Sequence, residues 1–211
     1  MNLANMLTLL RIILAPVFFI IYLSHHLFPS LFENGAQPYV IWTIPVLWVI
    51  FIVSEITDYF DGLAARKLNM TSDFGKLFDP FADTIVQITC FLCFIIDGIF
   101  PAWAAILFLL VIYREFGILF LRNLMLKKGV TLGARLGGKI KTVAYIIAVG
   151  VALLAASFER SVYHHTQVVS EQFLQYLKTG AFIIFILSVI IAIVSFVDYV
   201  LIYQKTKVQK N

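Results

Sequence analysis

From residue 12 onward the chain alternates long apolar runs with short polar joints. Roughly 18 apolar residues in a helix cross a bilayer, so the runs at 12–27, 39–60, 78–100, 102–124, 140–157 and 179–203 read as membrane spans. Six crossings return the C-terminus to the side on which the chain starts. The segment before the first run, NLANMLTLLR, is short and amphipathic and is expected to lie along the membrane surface. The first run ends near His25 and His26 without a small-residue cleavage site, which predicts a retained span. No internal repeat, low-complexity tract or Pro/Gly/Ser-rich linker divides the sequence, so one domain over 1–211 is the simplest organisation. The expected fold is all-α and integral to the membrane: a six-transmembrane-helix bundle with a short N-terminal interfacial helix.

Composition agrees and sharpens the picture. With 61% hydrophobic and only 13% charged residues, the chain lies outside the range of soluble domains. Its net charge of +4 does not point to nucleic acid, because the basic residues sit beside apolar runs and have no separate soluble domain to occupy. Anionic membrane lipids and phosphorylated substrates fit that charge better. In the six-span topology, 14 of the 16 Lys and Arg residues fall on one side, with Arg160 and Lys178 alone on the other. Basic joints stay cytoplasmic, so both termini are expected there, in an inner or plasma membrane. The joints around 28–38 and 159–178 then lie outside. His25 and His26 fall at the external boundary, whereas Tyr199 and Tyr203 read as markers of the cytoplasmic interface. Cys90 and Cys93 sit in an apolar run with no nearby His or second Cys pair, and read as small core residues.

Carboxylates are costly inside a membrane, so their placement carries information. Six of the twelve acidic residues fall between Glu55 and Asp83. Asp58 and Asp61 are three apart at the end of the second run, and Asp79 and Asp83 four apart at the start of the third. Either spacing puts both carboxylates on one helical face. Two antiparallel helices joined by a short loop bring all four to a common depth, where their repulsion calls for a cation. Oxygen-only ligands favour Mg²⁺ or Mn²⁺ over zinc. Two other readings stand beside this one: salt bridges with Arg66, Lys67 and Lys76, and the ion pathway of a divalent-cation transporter. The gathering of acids at one end, with almost no polar residues in the later spans, counts against a transporter.

Between the doublets the chain reads DYFDGLAARKLNMTSDFGKLFDPFAD. Asp58-x-x-Asp61-Gly62-x-x-Ala65-Arg66, eight residues, then Gly75-x-x-x-Asp79-x-x-x-Asp83 resembles the full signature of the CDP-alcohol phosphotransferases. The resemblance implies a metal-dependent CDP-alcohol phosphatidyltransferase of phospholipid biosynthesis, usually a homodimer. In it Asp58, Asp61 and Asp79 hold a two-metal centre, and Asp83 is the general base and possible fourth metal ligand. Gly62, Ala65, Arg66, Ser72 and Gly75 would contact the CDP-lipid. Independently of the family, Gly62 and Ala65 remove bulk where a flat ligand could approach, and Arg66 offers a fork of donors to a diphosphate. Gly75 permits a close approach of the backbone, and Ser72 also suits a helix cap.

A second basic cluster follows in YREFGILFLR and GARLGGKIKT. Arg114, Arg122, Lys139 and Lys141 are expected to line a pocket for an acceptor phosphate, since Arg114 lies deep enough in an apolar run to need an anionic partner. Lys127, Lys128 and the C-terminal lysines are explained by topology and lipid contact. Asn5-x-x-Thr8-x-x-Arg11, the Arg114-Glu115 pair and Gly138-Lys139-Ile140-Lys141-Thr142 make roughly the first 145 residues similar to bacterial phosphatidylglycerophosphate synthases. That similarity implies CDP-diacylglycerol and sn-glycerol 3-phosphate as substrates. Inositol phosphate, serine, choline or phosphatidylglycerol remain alternative acceptors for the same chemistry.

Overall fold

The computed structural model describes residues 3–29, 38–67, 73–127, 136–162 and 171–208, with side chains placed within 5–29, 42–58, 81–125, 137–160 and 171–204. These residues form seven helices and no strand: α1 Leu3–Tyr22, α2 Ser24–Leu27, α3 Pro38–Lys67, α4 Asp73–Ile96, α5 Ala104–Lys127, α6 Leu136–Val162 and α7 Glu171–Val208. The all-helical expectation therefore holds. The separate interfacial helix does not, because nothing between Arg11 and Ile12 breaks the helix and α1 runs on from Leu3. Its buried face, Thr8, Arg11, Ala15, Phe18 and Tyr22, repeats every three or four residues through both halves.

Among the described residues four helices are long and apolar enough to cross a membrane, namely the stretches Asn5–Tyr22, Ala104–Met125, Gly137–Arg160 and Glu171–Gln204. The full six-span count is not reached on that measure. In α4 the described side chains include the shorter apolar stretch Phe81–Ile96. Pro16 and Pro45 lie inside α1 and α3, where neighbouring helices can satisfy the carbonyls they leave unpaired.

The bundle is apolar outside as well as in. Ile183, Leu187, Ile190, Val194, Val197 and Leu201 form an exposed face of α7, as suits contact with lipid. The opposite face of α7, Ala181, Phe185, Ser188, Val189, Ala192, Ser195 and Tyr199, is buried, and α7 packs mainly on α6. On α6 the matching positions include Ala148, Ala152, Ala155 and Ala156, small enough to let two backbones approach closely. Helix α5 also meets α7, where a Cβ added to Gly117 would come within 2.9 Å of the Phe196 ring. Helix α1 packs against α3 and α4, which sets Arg11 beside the acidic ends of both. Beyond α4 the chain turns at Gly98, whose φ of +75° is a conformation that side-chain-bearing residues rarely adopt.

Candidate active site

Arg11 is 1% exposed, on the inner face of α1. Its Nη1 donates to Asp58 Oδ1 at 2.6 Å and to Asp83 Oδ1. One guanidinium nitrogen thus touches a carboxylate from α3 and another from α4, so the two helices converge as the doublet spacing predicts. The carboxylates keep 39% and 34% of their side-chain surface open, while the arginine between them keeps 2%. Asp58 and Asp83 are close enough to share a single cation, and their donors are all hard oxygens, so this part of the site fits a divalent metal of the Mg²⁺ type. Asp61, Gly62, Ala65 and Arg66 lie on α3, and Gly75 and Asp79 on α4, with side chains outside the described residues. Ser72 falls wholly outside them.

On its other side Asp83 opens onto a cavity of about 250 Å³ built by α4, α5, α6 and α7. Arg114, Arg122, Lys139 and Lys141 all line it, so the four basic residues expected to act together do come together. They are not equivalent. Arg114 and Lys141 are buried and share one counter-ion, Glu115: Arg114 Nη1 donates to both of its oxygens at 2.9 Å, and Lys141 Nζ to Oε1 at 2.9 Å. The remaining donors of Arg114 reach the Ala192 carbonyl at 3.1 Å and Ser195 Oγ at 3.2 Å. Arg114 is therefore a strut between α5 and α7, and its anionic partner is its own neighbour.

Arg122 and Lys139 face the cavity more openly. Arg122 Nη2 donates to the Tyr199 hydroxyl at 3.3 Å, and its guanidinium lies 5.6 Å from that ring's centroid. Tyr199 is accordingly a buried wall of the cavity and not an interfacial anchor. Four cations against Asp83 and Glu115 leave the cavity with a positive balance suited to a phosphate.

A narrow crevice lined by Arg11, Ser54, Glu55 and Asp58 adjoins the cavity, and Asp83, Gln87 and Thr142 line both. Asp83 thus stands where an acidic, cation-attracting compartment meets a basic, anion-attracting one. Sequence reasoning placed Arg11 and Thr142 in motifs without a site role, read Tyr199 as an interfacial marker and passed over Gln87. Their helical phase, three or four residues from named positions, is the signal that could have found Gln87 from Asp83 and Thr142 from Lys139.

Comparison with known proteins decides the family. The model of the CDP-alcohol phosphatidyltransferases matches residues 1–207. This chain belongs to the CDP-alcohol phosphatidyltransferase family. Members of this family generally use a divalent metal, which accords with the oxygen donors around Arg11. The chain is also similar to a CDP-diacylglycerol--glycerol-3-phosphate 3-phosphatidyltransferase of Treponema pallidum, at 34% identity over 94% of this chain and 88% of the relative. A protein of the same name from Bacillus subtilis is 39% identical over 72% of this chain and 77% of its own length. A probable phosphatidylglycerophosphate synthase of Mycobacterium tuberculosis is 36% identical over 74% and 68%. As a CDP-alcohol phosphatidyltransferase, the chain is a membrane transferase of phospholipid biosynthesis.

Proposed function

We propose that the protein transfers the phosphatidyl group of CDP-diacylglycerol to sn-glycerol 3-phosphate, yielding phosphatidylglycerophosphate and CMP. The position of Asp83 at the junction of the two compartments carries this reading. The CDP-lipid diphosphate lies on the Asp58 side, gripped by Arg66 and approached by the backbone at Gly62, Ala65, Ser72 and Gly75. Glycerol 3-phosphate enters the cavity, its phosphate held by Arg122 and Lys139, with Lys141 and Arg114 fixed behind them by Glu115.

Asp83 accepts the proton of the attacking hydroxyl as its oxygen bonds to the phosphorus bearing diacylglycerol. The bond from that phosphorus to the bridging oxygen breaks, and CMP leaves with the oxygen. Two Mg²⁺ or Mn²⁺ ions held by Asp58, Asp61, Asp79 and Asp83 would neutralise charge on the phosphorus centre and the leaving phosphate. The positive cavity supports a phosphorylated acceptor over serine or choline. Inositol phosphate shares that chemistry and is the acceptor to compare.

The same reading places residues 1–211 in one membrane domain, as a homodimer in a bacterial inner membrane with six crossings. Both termini and the site face the cytoplasm, a placement that the one-sided distribution of Lys and Arg supports. The test is CMP release by detergent-purified protein given CDP-diacylglycerol, Mg²⁺ and each acceptor in turn. Turnover with glycerol 3-phosphate and little with the others is expected; turnover with a different acceptor alone would replace the substrate and keep the chemistry.

A further inference from the structure

The end of the bundle opposite Asp83 holds a second group of ligating side chains that the transfer chemistry does not use. His25 and His26, on α2, and Asp97, in the turn after α4, bring two imidazole nitrogens and one carboxylate oxygen within 4.8 Å of one another. His25 Nε2 lies 2.9 Å and His26 Nε2 3.2 Å from Asp97 Oδ1. Ligands of a tetrahedral zinc, at bonds of about 2.0–2.1 Å, sit about 3.3 Å apart, so the nitrogen-to-oxygen spacings are already near those of a filled site. The fourteen-residue step from Asp83 to Asp97 puts the two centres about 21 Å apart along the axis of α4.

Asp97 is held in place from behind. Arg160 Nη2 donates to its Oδ2 at 3.2 Å and to the Tyr22 carbonyl at 2.9 Å, and the guanidinium lies 4.2 Å from the centroid of the Tyr22 ring. Oδ1 is left to the two imidazoles, and a carboxylate oriented by a partner on its other oxygen is the usual support of a metal ligand. The outer side is open: the His26 side chain is 48% exposed and that of His25 29%, so an ion can enter and a water can complete the shell.

We propose that His25, His26 and Asp97 form a binding site for a borderline divalent cation, Zn²⁺ or Cu²⁺, that ties α2 to the end of α4. Two imidazoles select such an ion against Mg²⁺, which prefers oxygen and keeps its water. The site is independent of the acceptor assignment, since it shares no residue with the transfer site. In the proposed orientation it faces away from the cytoplasm.

The experiment uses tag-free full-length protein in saturating Mg²⁺, titrated with Cu²⁺ and followed by electron paramagnetic resonance. One equivalent of copper should show splitting from two nitrogens. The His25→Ala/His26→Ala double variant should lose that signal, whereas Asp83→Asn and a variant of the chain's other two histidines, His164→Ala/His165→Ala, should keep it. In parallel, Zn²⁺ should raise the thermal midpoint of the natural protein and leave the double variant unmoved. Because His26 is half exposed, the double variant is expected to elute as the natural protein does. His26→Ala alone should weaken copper binding at least about tenfold. Copper bound without nitrogen splitting, or splitting unchanged in the His25→Ala/His26→Ala protein, would overturn the proposal.

Discussion

An arginine–carboxylate group stands near each end of the α1–α4 contact, and the two groups are built to opposite purposes. At one end the buried cation is Arg11, and its partners Asp58 and Asp83 remain more than a third open beside a cavity. At the other end Asp97 is only 11% exposed, closed in by Arg160, His25 and His26. Burying the cation and leaving the carboxylates open leaves oxygen lone pairs for a ligand. Burying the carboxylate behind Arg160 fixes one of its oxygens and leaves the other to two imidazoles. The same residue types therefore present two open carboxylates in one place and a single enclosed one in the other.

The comparison breaks first, and most heavily, at Glu115. This carboxylate is the shared counter-ion of Arg114 and Lys141, so Glu115→Ala leaves two buried cations facing each other. Breaking a buried pair costs about 3–5 kcal/mol, and thermal unfolding in detergent should show the loss. Next is the open side of the cavity. Arg122→Ala should raise the KM for glycerol 3-phosphate about 10- to 100-fold, as loss of a charge-assisted hydrogen bond of roughly 1.5–3 kcal/mol requires, with the KM for CDP-diacylglycerol little changed. Steady-state kinetics with each substrate varied in turn would separate the two.

The smallest effect concerns acid. Burial pushes the Asp97 carboxyl up, but hydrogen bonding from His25 and the charge of Arg160 outweigh it and hold the group below the usual carboxylate range, with Tyr22 facing it from α1. A folded-state value below the unfolded one means that Asp97 contributes stability above about pH 4, and that this contribution fades as pH falls through the lowered value. Asp97→Asn should lower the midpoint of thermal unfolding at pH 6, and the gap to the natural protein should narrow as pH falls below about 4. A gap independent of pH would remove the charge from the explanation.

The convergence of Asp58 with Asp83 was legible because it is written at helical spacing. The Asp doublets and the Arg114–Arg122 pair lie within one or two turns of their partners, so periodicity alone places each pair on a common face, whereas Lys139 and Lys141, two apart, meet only through the cavity they both line. Helix identity was legible for the same reason, although α3 and α4 extend through polar residues where the apolar runs suggested boundaries. What could not be read is what depends on partners distant in sequence. Arg11 meets Asp58 and Asp83 across 47 and 72 residues, and Arg160 meets Asp97 across 63. Arg114 appeared to need an anion from a substrate because nothing in the linear pattern says that its neighbour turns inward with it. Tyr199 looked like an interfacial residue because an aromatic near the end of a span is ambiguous until α5 is packed against it.

The central claim is that Asp83 serves both compartments and removes the proton from the acceptor. Single-turnover CMP release by Asp83→Asn protein, with glycerol 3-phosphate and Mg²⁺ present and CDP-diacylglycerol pre-bound, tests it most directly. A loss of about 10²- to 10⁴-fold in rate, with the protein still folded, is the predicted result. A rate within a few-fold of the natural protein would contradict the assignment and move the base elsewhere in the site.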